Sequence, residues 1–265
     1  METTIFYFSA TGNSLSLASN LANELGHCEI VSIAKAIQND GVKINSAKVG
    51  FIFPVYAWGM PRIVEEFIQK IQIANDCYVF AIVTCVAIPG NTLNDLKKLL
   101  QTKGIQLKTG FVTKAGRSSL MKLNSLDRMI MRLDTRRAKI KFFGERLPEL
   151  AASIKARVNK SPETSNWAAN VFGSMFHKMG INAFKTMDAQ FTINSDCTQC
   201  GTCAKICPRN NIELTTNGPI FRHNCELCHA CIQWCPKFAI RHNNFDDNPR
   251  QYRNKEVQVS ELFIN

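Results

Sequence analysis

Eight of the eleven cysteines in this 265-residue chain fall into two copies of one pattern. Each copy spaces four cysteines as C-x2-C-x2-C-x3-C and places a proline after the last. Three thiolates at i, i+3 and i+6 can reach three iron corners of a [4Fe–4S] cubane from one short loop, and the fourth corner needs a ligand from elsewhere. The pattern therefore predicts two such clusters. The first copy comprises Cys197, Cys200, Cys203 and Cys207, and the second comprises Cys225, Cys228, Cys231 and Cys235.

Other uses of cysteine fit this pattern less well. A zinc site built from paired C-x2-C hooks holds one tetrahedral ion, which a third cysteine at i+6 and a Cys-Pro pair in both copies do not suit. A disulfide framework needs a secreted context, but Met1–Thr4 has no basic signal-peptide segment and leads into a strand-like stretch. The three remaining cysteines, Cys28, Cys77 and Cys85, are expected to be buried free thiols in a reducing, cytoplasmic setting.

The N-terminal half opens with a strand, a polar loop of small residues and a helix. Apolar Ile5–Phe8 is followed by Ser9–Ser14 and then by an apolar-periodic stretch to Leu25. Such a loop turns backbone N–H groups and a helix N-terminus toward an anion, and its hydroxyls add further donors. Because the loop has neither Lys nor Arg, these dipoles alone would hold a phosphate monoester. The alternative is an ordinary strand–helix turn with Ser and Thr caps.

Two more strand–loop–helix units follow, over residues 49–71 and 79–100. Ligands bind in open α/β sheets at loops that follow the carboxyl ends of parallel strands. Tyr56 and Trp58 lie on such a loop between Pro and Gly residues, which favours stacking on a flat ring over packing in the core. The longest apolar run, Cys77–Ile88, is too short to span a bilayer and predicts a buried strand.

The pattern Ser9-x-Thr11-Gly12-x-Ser14, directly after the first strand, resembles the phosphate loop of the flavodoxins, and the three loops occur in that family's order. Because the cysteine motifs resemble those of bacterial-type ferredoxins, the whole chain resembles the flavodoxin–ferredoxin fusion proteins. This resemblance covers residues 1–113 and 189–243. It implies an α/β fold with a doubly wound parallel sheet of order 2-1-3-4-5 and a C-terminal α+β ferredoxin domain. The five strands are expected near residues 3–8, 29–32, 49–53, 78–84 and 107–113.

The resemblance also implies cofactor ligands. In two-cluster ferredoxins the last cysteine of each motif crosses to the other cluster. One [4Fe–4S] cluster would therefore be held by Cys197, Cys200, Cys203 and Cys235, and the other by Cys225, Cys228, Cys231 and Cys207. The phosphate of FMN would contact Ser9, Thr11, Gly12, Asn13 and Ser14. The flavin ring would contact Pro54, Tyr56, Ala57, Trp58 and Gly59 on one side, and Thr84, Cys85, Val86 and Ala87 on the other, where the loop departs from the family in having no aromatic residue.

The middle of the chain is strongly basic. Lys97–Met187 contains 19 Lys and Arg against 5 Asp and Glu, whereas the whole chain has a net charge of +11. Within residues 114–160, apolar residues at helical spacing alternate with basic ones, which predicts a basic amphipathic helix. It would pack one side on the core or dock an acidic redox partner; membrane-surface association is less expected, and nucleic-acid binding least. The apolar positions are Leu120, Leu123, Leu126, Met129, Ile130 and Leu133.

These patterns divide the chain into four parts. We expect an FMN-binding domain over residues 1–160, a connecting helix over 161–188, a two-cluster domain over 189–245 and a tail over 246–265 that packs back on the body. In the second motif, His229 stands where the first has Gly201. A histidine there either tunes a cluster through a hydrogen bond or is a surface residue at an ordinary φ, and the second interpretation is the simpler.

The cofactors define the expected function. A cluster passes one electron at a time, whereas FMN holds one or two and exchanges a hydride. We therefore expect an intracellular electron-transfer flavoprotein that converts between one-electron and two-electron carriers, with no side chain acting as acid or base. One alternative is an FMN-dependent reductase of a small, for example anionic, substrate, and another is a redox-sensing iron–sulfur flavoprotein. The sequence does not decide whether the protein is an enzyme.

Overall fold

The apolar segments of the N-terminal half form one parallel sheet in the computed structural model, which describes residues 2–39, 41–74, 76–116, 125, 128–129, 132, 140–242 and 250–264. Numbered along the chain, the five strands of this sheet lie in the order 2-1-3-4-5, so the predicted doubly wound fold is confirmed. A further parallel pair joins Lys43–Ile44 to Gln72–Ile73. The strands are β1 (Thr3–Tyr7), β2 (Cys28–Ser32), β3 (Lys48–Pro54), β4 (Tyr78–Cys85) and β5 (Leu107–Lys114).

Helices cover both faces of this sheet because successive strand residues point to opposite sides. In β1, Phe6 packs in the core on one side, and Ile5 and Tyr7 pack on the other. The first layer contains α2 (Ile33–Ala36), α3 (Arg62–Lys70) and α4 (Thr92–Gln101), and the second contains α1 (Asn13–Leu25) and α5 (Phe143–Lys155). Both layers leave the carboxyl ends of the strands to the loops that carry the predicted site.

The connecting region contains helix α6 (Trp167–Gly180) and a 3-10 helix, Ala183–Gln190. The side chain of Asn166 caps α6 by accepting a hydrogen bond from the N–H of Ala169 at 3.0 Å. Ala169 and Gly173 are buried on the inner face of the helix. Four large apolar residues lie on its exposed face, namely Trp167, Val171, Met175 and Met179.

The cysteine-rich region is built from short elements around the two motifs. Strand β6 (Phe191–Ile193) pairs antiparallel with β9 (Ile240–His242), and β7 (Ile212–Thr215) forms a hairpin with β8 (Gly218–Phe221). Helices α7 (Thr202–Ile206) and α8 (Ala230–Gln233) lie in contact, one in each motif. This small core has few apolar residues, so the region depends on other contacts for its stability.

Residues 250–264 of the tail return to the N-terminal sheet. Val257 and Leu262 are buried in the core layer of α1 and α5. The N–H of Asn254 donates to the carbonyl oxygen of Thr11 at 2.8 Å, and that of Ile264 donates to the carbonyl oxygen of Lys205 at 2.8 Å. The tail therefore contacts both the predicted phosphate loop and the cysteine-rich region.

Of the six apolar positions that define the predicted basic amphipathic helix, all but Met129 lie outside the described residues. Within it, Ser125, Arg128, Met129 and Arg132 are helical and exposed. None of the eleven cysteines, all of which lie among the described residues, forms a disulfide; Cys77 and Cys85 are buried as expected, whereas Cys28 is only half-buried. Among the helices that the structure describes, none has the length and apolar character needed to cross a membrane.

Candidate cofactor sites

The first predicted set of cluster ligands converges on one pocket. Cys197, Cys200 and Cys203 line it together with Cys235 from the second motif. The pKa of Cys203 is raised to about 11, mainly by burial and in part by the neighbouring thiols of Cys200, Cys235 and Cys197. Four thiols around one pocket are the donor set that a [4Fe–4S] cluster requires, so these residues fit the group.

The second set also comes together. Burial raises the pKa of Cys225 to about 12, and the nearby Cys207 thiol of the first motif contributes to the increase. Cys231 is buried and Cys228 is half-buried beside the same thiols, and their pKa values are raised well above the ordinary value, first by desolvation. Cys231 also interacts with Cys203 of the first set, which makes the two sets neighbours. Among the described residues, no group of three or more His, Cys, Asp or Glu side chains is arranged to hold a single metal ion.

The two motifs share one backbone conformation. In each, the residue before the second cysteine, the residue after it and the third residue after the fourth cysteine have a positive φ. These left-handed residues turn the loop so that its thiols point inward, and the second of them precedes the short helix. The pairs are Gln199 (φ 54°) with Leu227 (φ 51°), Gly201 (φ 74°) with His229 (φ 60°), and Asn210 (φ 49°) with Phe238 (φ 48°).

The environment of His229 differs from the one expected from the sequence. It is 4% exposed at a φ of 60°, so the expectation of a surface residue at ordinary φ was wrong. Burial, helped by the nearby His242, lowers the pKa of His229 to about 4, so its imidazole is neutral. Its ring packs 6.5 Å from the ring of Phe191. The buried ring fills space in this small core that Gly201 cannot fill in the first motif.

The predicted phosphate loop joins β1 to the N-terminus of α1. Gly12 has a φ of 95° immediately before the helix, and its N–H donates to Ser9 Oγ at 3.1 Å. Ser14 Oγ lies 3.3 Å from Thr84 Oγ1, so the first and third predicted FMN loops meet. Among the described residues no side chain caps α1. A helix N-terminus surrounded by hydroxyls fits a phosphate group.

Residues from the far end of the chain cover this loop. Trp234 Nε1 donates to the carbonyl oxygen of Ala10 at 2.9 Å, and Tyr252 Oη donates to Asn13 Oδ1 at 2.8 Å. A Cβ atom at Gly12 would lie 3.0 Å from side-chain atoms of both Asn254 and Val257, which explains why glycine stands there. Sequence analysis missed these contacts because about 240 residues separate the partners.

The second predicted FMN loop contains a tight hairpin turn. The N–H of Tyr56 donates to the carbonyl oxygen of Gly59 at 2.9 Å, and that of Gly59 donates back at 3.0 Å. Ala57 (φ 45°) and Trp58 (φ 62°) are both left-handed, as a type I′ turn requires. A tryptophan rarely adopts this conformation, and such local strain is concentrated at functional sites.

The aromatic residues of this turn have protein neighbours on two sides. Trp58 packs with Ile88 of the third loop and with Ala169 and Phe176 of α6. His177 of the same helix places Nδ1 3.1 Å from the carbonyl oxygen of Tyr56. Helix α6 therefore supports the turn from outside. Contact of Tyr56 and Trp58 with the flavin ring remains a prediction.

Tyr56 lies between the sheet and the second cysteine motif. Its ring meets that of Phe8 edge-on at 6.0 Å. Burial raises the pKa of Tyr56 well above its ordinary value, and Cys228 contributes next. Tyr56 is thus a neutral phenol beside a predicted cluster ligand. In the third loop, Thr84 and Cys85 are buried, Val86 is 47% exposed, and Ala87 packs near Trp58.

Charged residues join the second FMN loop to the second cysteine motif. Arg62, which follows that loop, donates from Nη2 to the carbonyl oxygen of Cys225 at 2.6 Å. Glu226 accepts from the N–H of Ile63 at 3.2 Å and from Arg209 Nε at 2.7 Å. Arg209 also binds Glu66 at 2.5 and 3.0 Å. Sequence analysis missed this network because the partners across it are 143 and 163 residues apart.

The chain matches known families in both halves. Residues 4–142 match the model described as a flavodoxin domain, and residues 192–213, which contain the first cysteine motif, match a 4Fe–4S binding domain. No curated protein matches the chain.

Several solved structures are similar to part of the chain. A protein from Bacteroides uniformis described as a flavoprotein is 20% identical, covering 44% of this chain and 92% of its own, with a TM-score of 0.36. The two-electron reduced flavodoxin of Megasphaera elsdenii is 15% identical over 42% of this chain and 85% of its own, with a TM-score of 0.31. The rubredoxin oxygen:oxidoreductase of Desulfovibrio gigas is 15% identical over 58% of this chain and 36% of its own, with a TM-score of 0.36.

Proposed function

Because this chain belongs to the flavodoxin domain family and also contains a 4Fe–4S binding domain, we propose that it transfers electrons between two [4Fe–4S] clusters and FMN within one polypeptide. When bound, the clusters supply one-electron steps and FMN supplies one- or two-electron steps. The protein would thereby connect single-electron carriers to a two-electron partner. Its own side chains bind and orient these groups.

One observation carries this proposal: the second predicted FMN loop and the second cysteine motif are in direct contact. Tyr56 lies beside Cys228, and Arg62 donates to the carbonyl oxygen of Cys225 at 2.6 Å. Cys228 packs against the apolar cores on both faces of the sheet. A cluster on this motif would adjoin a flavin on that loop.

The phosphate loop adds a second contact between the same two regions. Trp234, which precedes Cys235, donates to the carbonyl oxygen of Ala10. Arg253 and Gln251 of the tail donate to the carbonyl oxygen of Cys235 at 3.2 and 2.8 Å, and the adjoining Tyr252 donates to Asn13. The chain thus holds the predicted phosphate loop and a predicted cluster ligand in one hydrogen-bonded assembly. These contacts exclude water from the loop and support a fixed spacing of the two cofactors.

The partner that we propose is an acidic one-electron carrier protein. The net charge of residues 97–187 is strongly positive, and complementary charge accelerates association. Among the first set of ligands, Cys200 is exposed, which would allow such a carrier to approach the first cluster. Raising the ionic strength should slow electron delivery by an acidic carrier but not by a neutral dye. Eleven cysteines without a disulfide suit the reducing cytoplasm, where we place the protein.

Anaerobic purification followed by iron, sulfide and flavin quantitation tests the proposal. About eight irons and about one FMN per chain are expected, with stepwise reduction of all three centres by dithionite. Four irons per chain would reduce the assignment to one cluster. A zinc-containing or flavin-free protein would overturn it.

A surface groove favours a second candidate function, the reduction of a small polar substrate at the FMN face. The groove lies beside the third predicted FMN loop and is lined by Asn91 together with residues of α6. Lys178 offers it a positive charge, Asn170 an amide and Ser174 a hydroxyl. Rapid re-oxidation of the reduced protein by small anions such as nitrite, but not by an acidic ferredoxin, would favour this function over electron transfer between proteins.

A further inference from the structure

Four charged residues form a chain of alternating sign across the contact between the flavodoxin domain and the cysteine-rich region. Glu66 binds Arg209 at 2.5 Å, Arg209 binds Glu226 at 2.7 Å, and Glu226 lies 3.6 Å from Arg62. The side chain of Glu66 is 45% exposed, whereas that of Glu226 is 1% exposed, so the chain runs from the surface to the interior. Its inner end is a cation.

That inner cation lies against a predicted cluster ligand. Arg62 is 5% exposed, and its Nη2 donates to the backbone carbonyl of Cys225 at 2.6 Å. Both carboxylate oxygens of Glu226 are engaged, one by Arg209 and the other by the N–H of Ile63. Nε and Nη1 of Arg62 have no hydrogen-bond partner among the described residues. Its guanidinium stays charged because an arginine side chain is not deprotonated in proteins.

We propose that Arg62, a residue of the flavodoxin domain, raises the reduction potential of the cluster bound by Cys225, Cys228, Cys231 and Cys207. Reduction adds one electron to a cluster that four thiolates already make negative. A cation held beside it in a water-poor interior stabilises the reduced form, and such surroundings tune cluster potentials. This inference rests on the proposed pair of clusters.

A half-buried arginine, Arg253, donates from Nη2 to the carbonyl oxygen of Cys235 at 3.2 Å, so the cation beside the other cluster is less enclosed than Arg62. Cys200 in its ligand set is exposed, and Arg222 pairs with Glu213 at the surface, where both side chains are more than half exposed. Water and salt screen charges in such positions. The flavodoxin domain would therefore separate the two potentials, so that an electron arriving at the exposed cluster moves toward the cluster beside the predicted FMN loop.

Redox titration of the anaerobic holoprotein, followed by electron paramagnetic resonance, tests this inference. Arg62→Gln keeps a hydrogen-bond donor but removes the charge, and we expect it to lower the midpoint potential of one cluster signal and leave the other unchanged. Glu226→Gln removes the adjoining negative charge and should shift the same signal upward. Arg222→Gln serves as the control and should shift neither.

Two further variants keep the test decisive if Arg62→Gln fails to assemble its cluster. Arg62→Lys retains the charge and should keep the midpoint close to that of the wild type. Glu66→Gln, at the surface end, should shift the signal in the same direction as Glu226→Gln but by less. Equal shifts of both signals, or no shift in a protein with about eight irons, would overturn the inference. A wild type with one cluster contradicts the proposed function instead.

Discussion

The two cysteine motifs have the same spacing and backbone but different surroundings. In the first, Cys200 is exposed and the thiols line a pocket at the surface of the cysteine-rich region. In the second ligand set, Cys207 and Cys231 are buried, and the half-buried Cys228 packs against the flavodoxin domain. Local sequence therefore sets the shape of a ligand loop, whereas packing against the rest of the chain sets its exposure to solvent.

This difference suggests that the two motifs have different roles in electron transfer. A cluster on the more exposed ligand set would be the more accessible to a carrier protein, and one on the less exposed set would be better placed to exchange electrons within the molecule. The short contact between Arg62 and Cys225 places the less exposed set on the side of the predicted FMN loop. Paired substitutions at equivalent positions of the two regions test whether this comparison holds.

The largest difference is expected between Cys228→Ala and Cys200→Ala. Each variant should lose about half of the iron, since each removes a ligand from one cluster. Only Cys228→Ala should also lose FMN, because its loop packs against Tyr56 of the predicted flavin site. Iron and flavin quantitation on the same preparations measures both effects. Equal flavin content in the two variants would contradict the comparison.

The next largest difference is expected between Arg209→Ala and Arg222→Ala. Arg209 is nearly buried and pairs with the buried Glu226, so its loss should lower the free energy of unfolding by about 3–5 kcal/mol. Arg222 forms an exposed pair with Glu213, and its loss should cost about 0–1 kcal/mol. Denaturant titration of the holoproteins measures both. A similar cost for the two variants would mean that the contact between the domains adds little stability.

Trp234→Phe and Ile206→Val compare the residues that precede the last cysteine of each motif. Trp234→Phe leaves the carbonyl oxygen of Ala10 without its donor, which should lower the free energy of unfolding by about 1–3 kcal/mol. We expect weaker binding of FMN, by up to about tenfold, because Ala10 belongs to the predicted phosphate loop. Ile206→Val should lower the free energy of unfolding by about 0.5–1.5 kcal/mol and leave the affinity for FMN unchanged. Fluorescence titration of the apoprotein with FMN separates the two outcomes.

The smallest effect is expected from Gly201→Ala. A Cβ at Gly201 would meet only Leu214, at 3.9 Å, so the cost comes from its φ of 74° and should be about 1 kcal/mol. Gly144 serves as the control because it lies in α5 with open space around it and no positive φ. Gly144→Ala should stabilise by about 0.4–1 kcal/mol, as measured by thermal unfolding. If Gly201→Ala did not lower the stability of the protein, the loop of the first cysteine motif would be able to adjust to the added Cβ atom.

Much of the fold could be predicted from the sequence because its signals are local. Apolar runs such as Val49–Phe53 specify buried parallel strands, and the five strands and their order are confirmed. The cysteine spacing likewise specifies a loop whose thiols converge. Pro54 and Gly59 correctly placed Tyr56 and Trp58 on a loop at the end of a strand, but not the neighbours of their rings.

The environment of the site could not be predicted in the same way. His229 was interpreted as a surface residue because one substitution of glycine carries no information about burial, yet it is enclosed beside Phe191. The apolar spacing of α6 likewise does not reveal which side of the helix is buried, and Trp167 and Met179 are exposed. Arg62 and Glu226 gave no signal at all, since each is an ordinary charged residue until the other is beside it.

The sequence by itself determined the ligand types, their spacing and the sheet that presents the predicted FMN loops, because these follow from neighbours within a few residues. Only the tertiary structure decided how the second cysteine motif meets the flavodoxin domain, with Arg62 at Cys225 and the tail over Asn13. The physical reason is that burial and charge pairing depend on which distant segments meet. The order of residues along the chain does not show which distant segments lie close together in space.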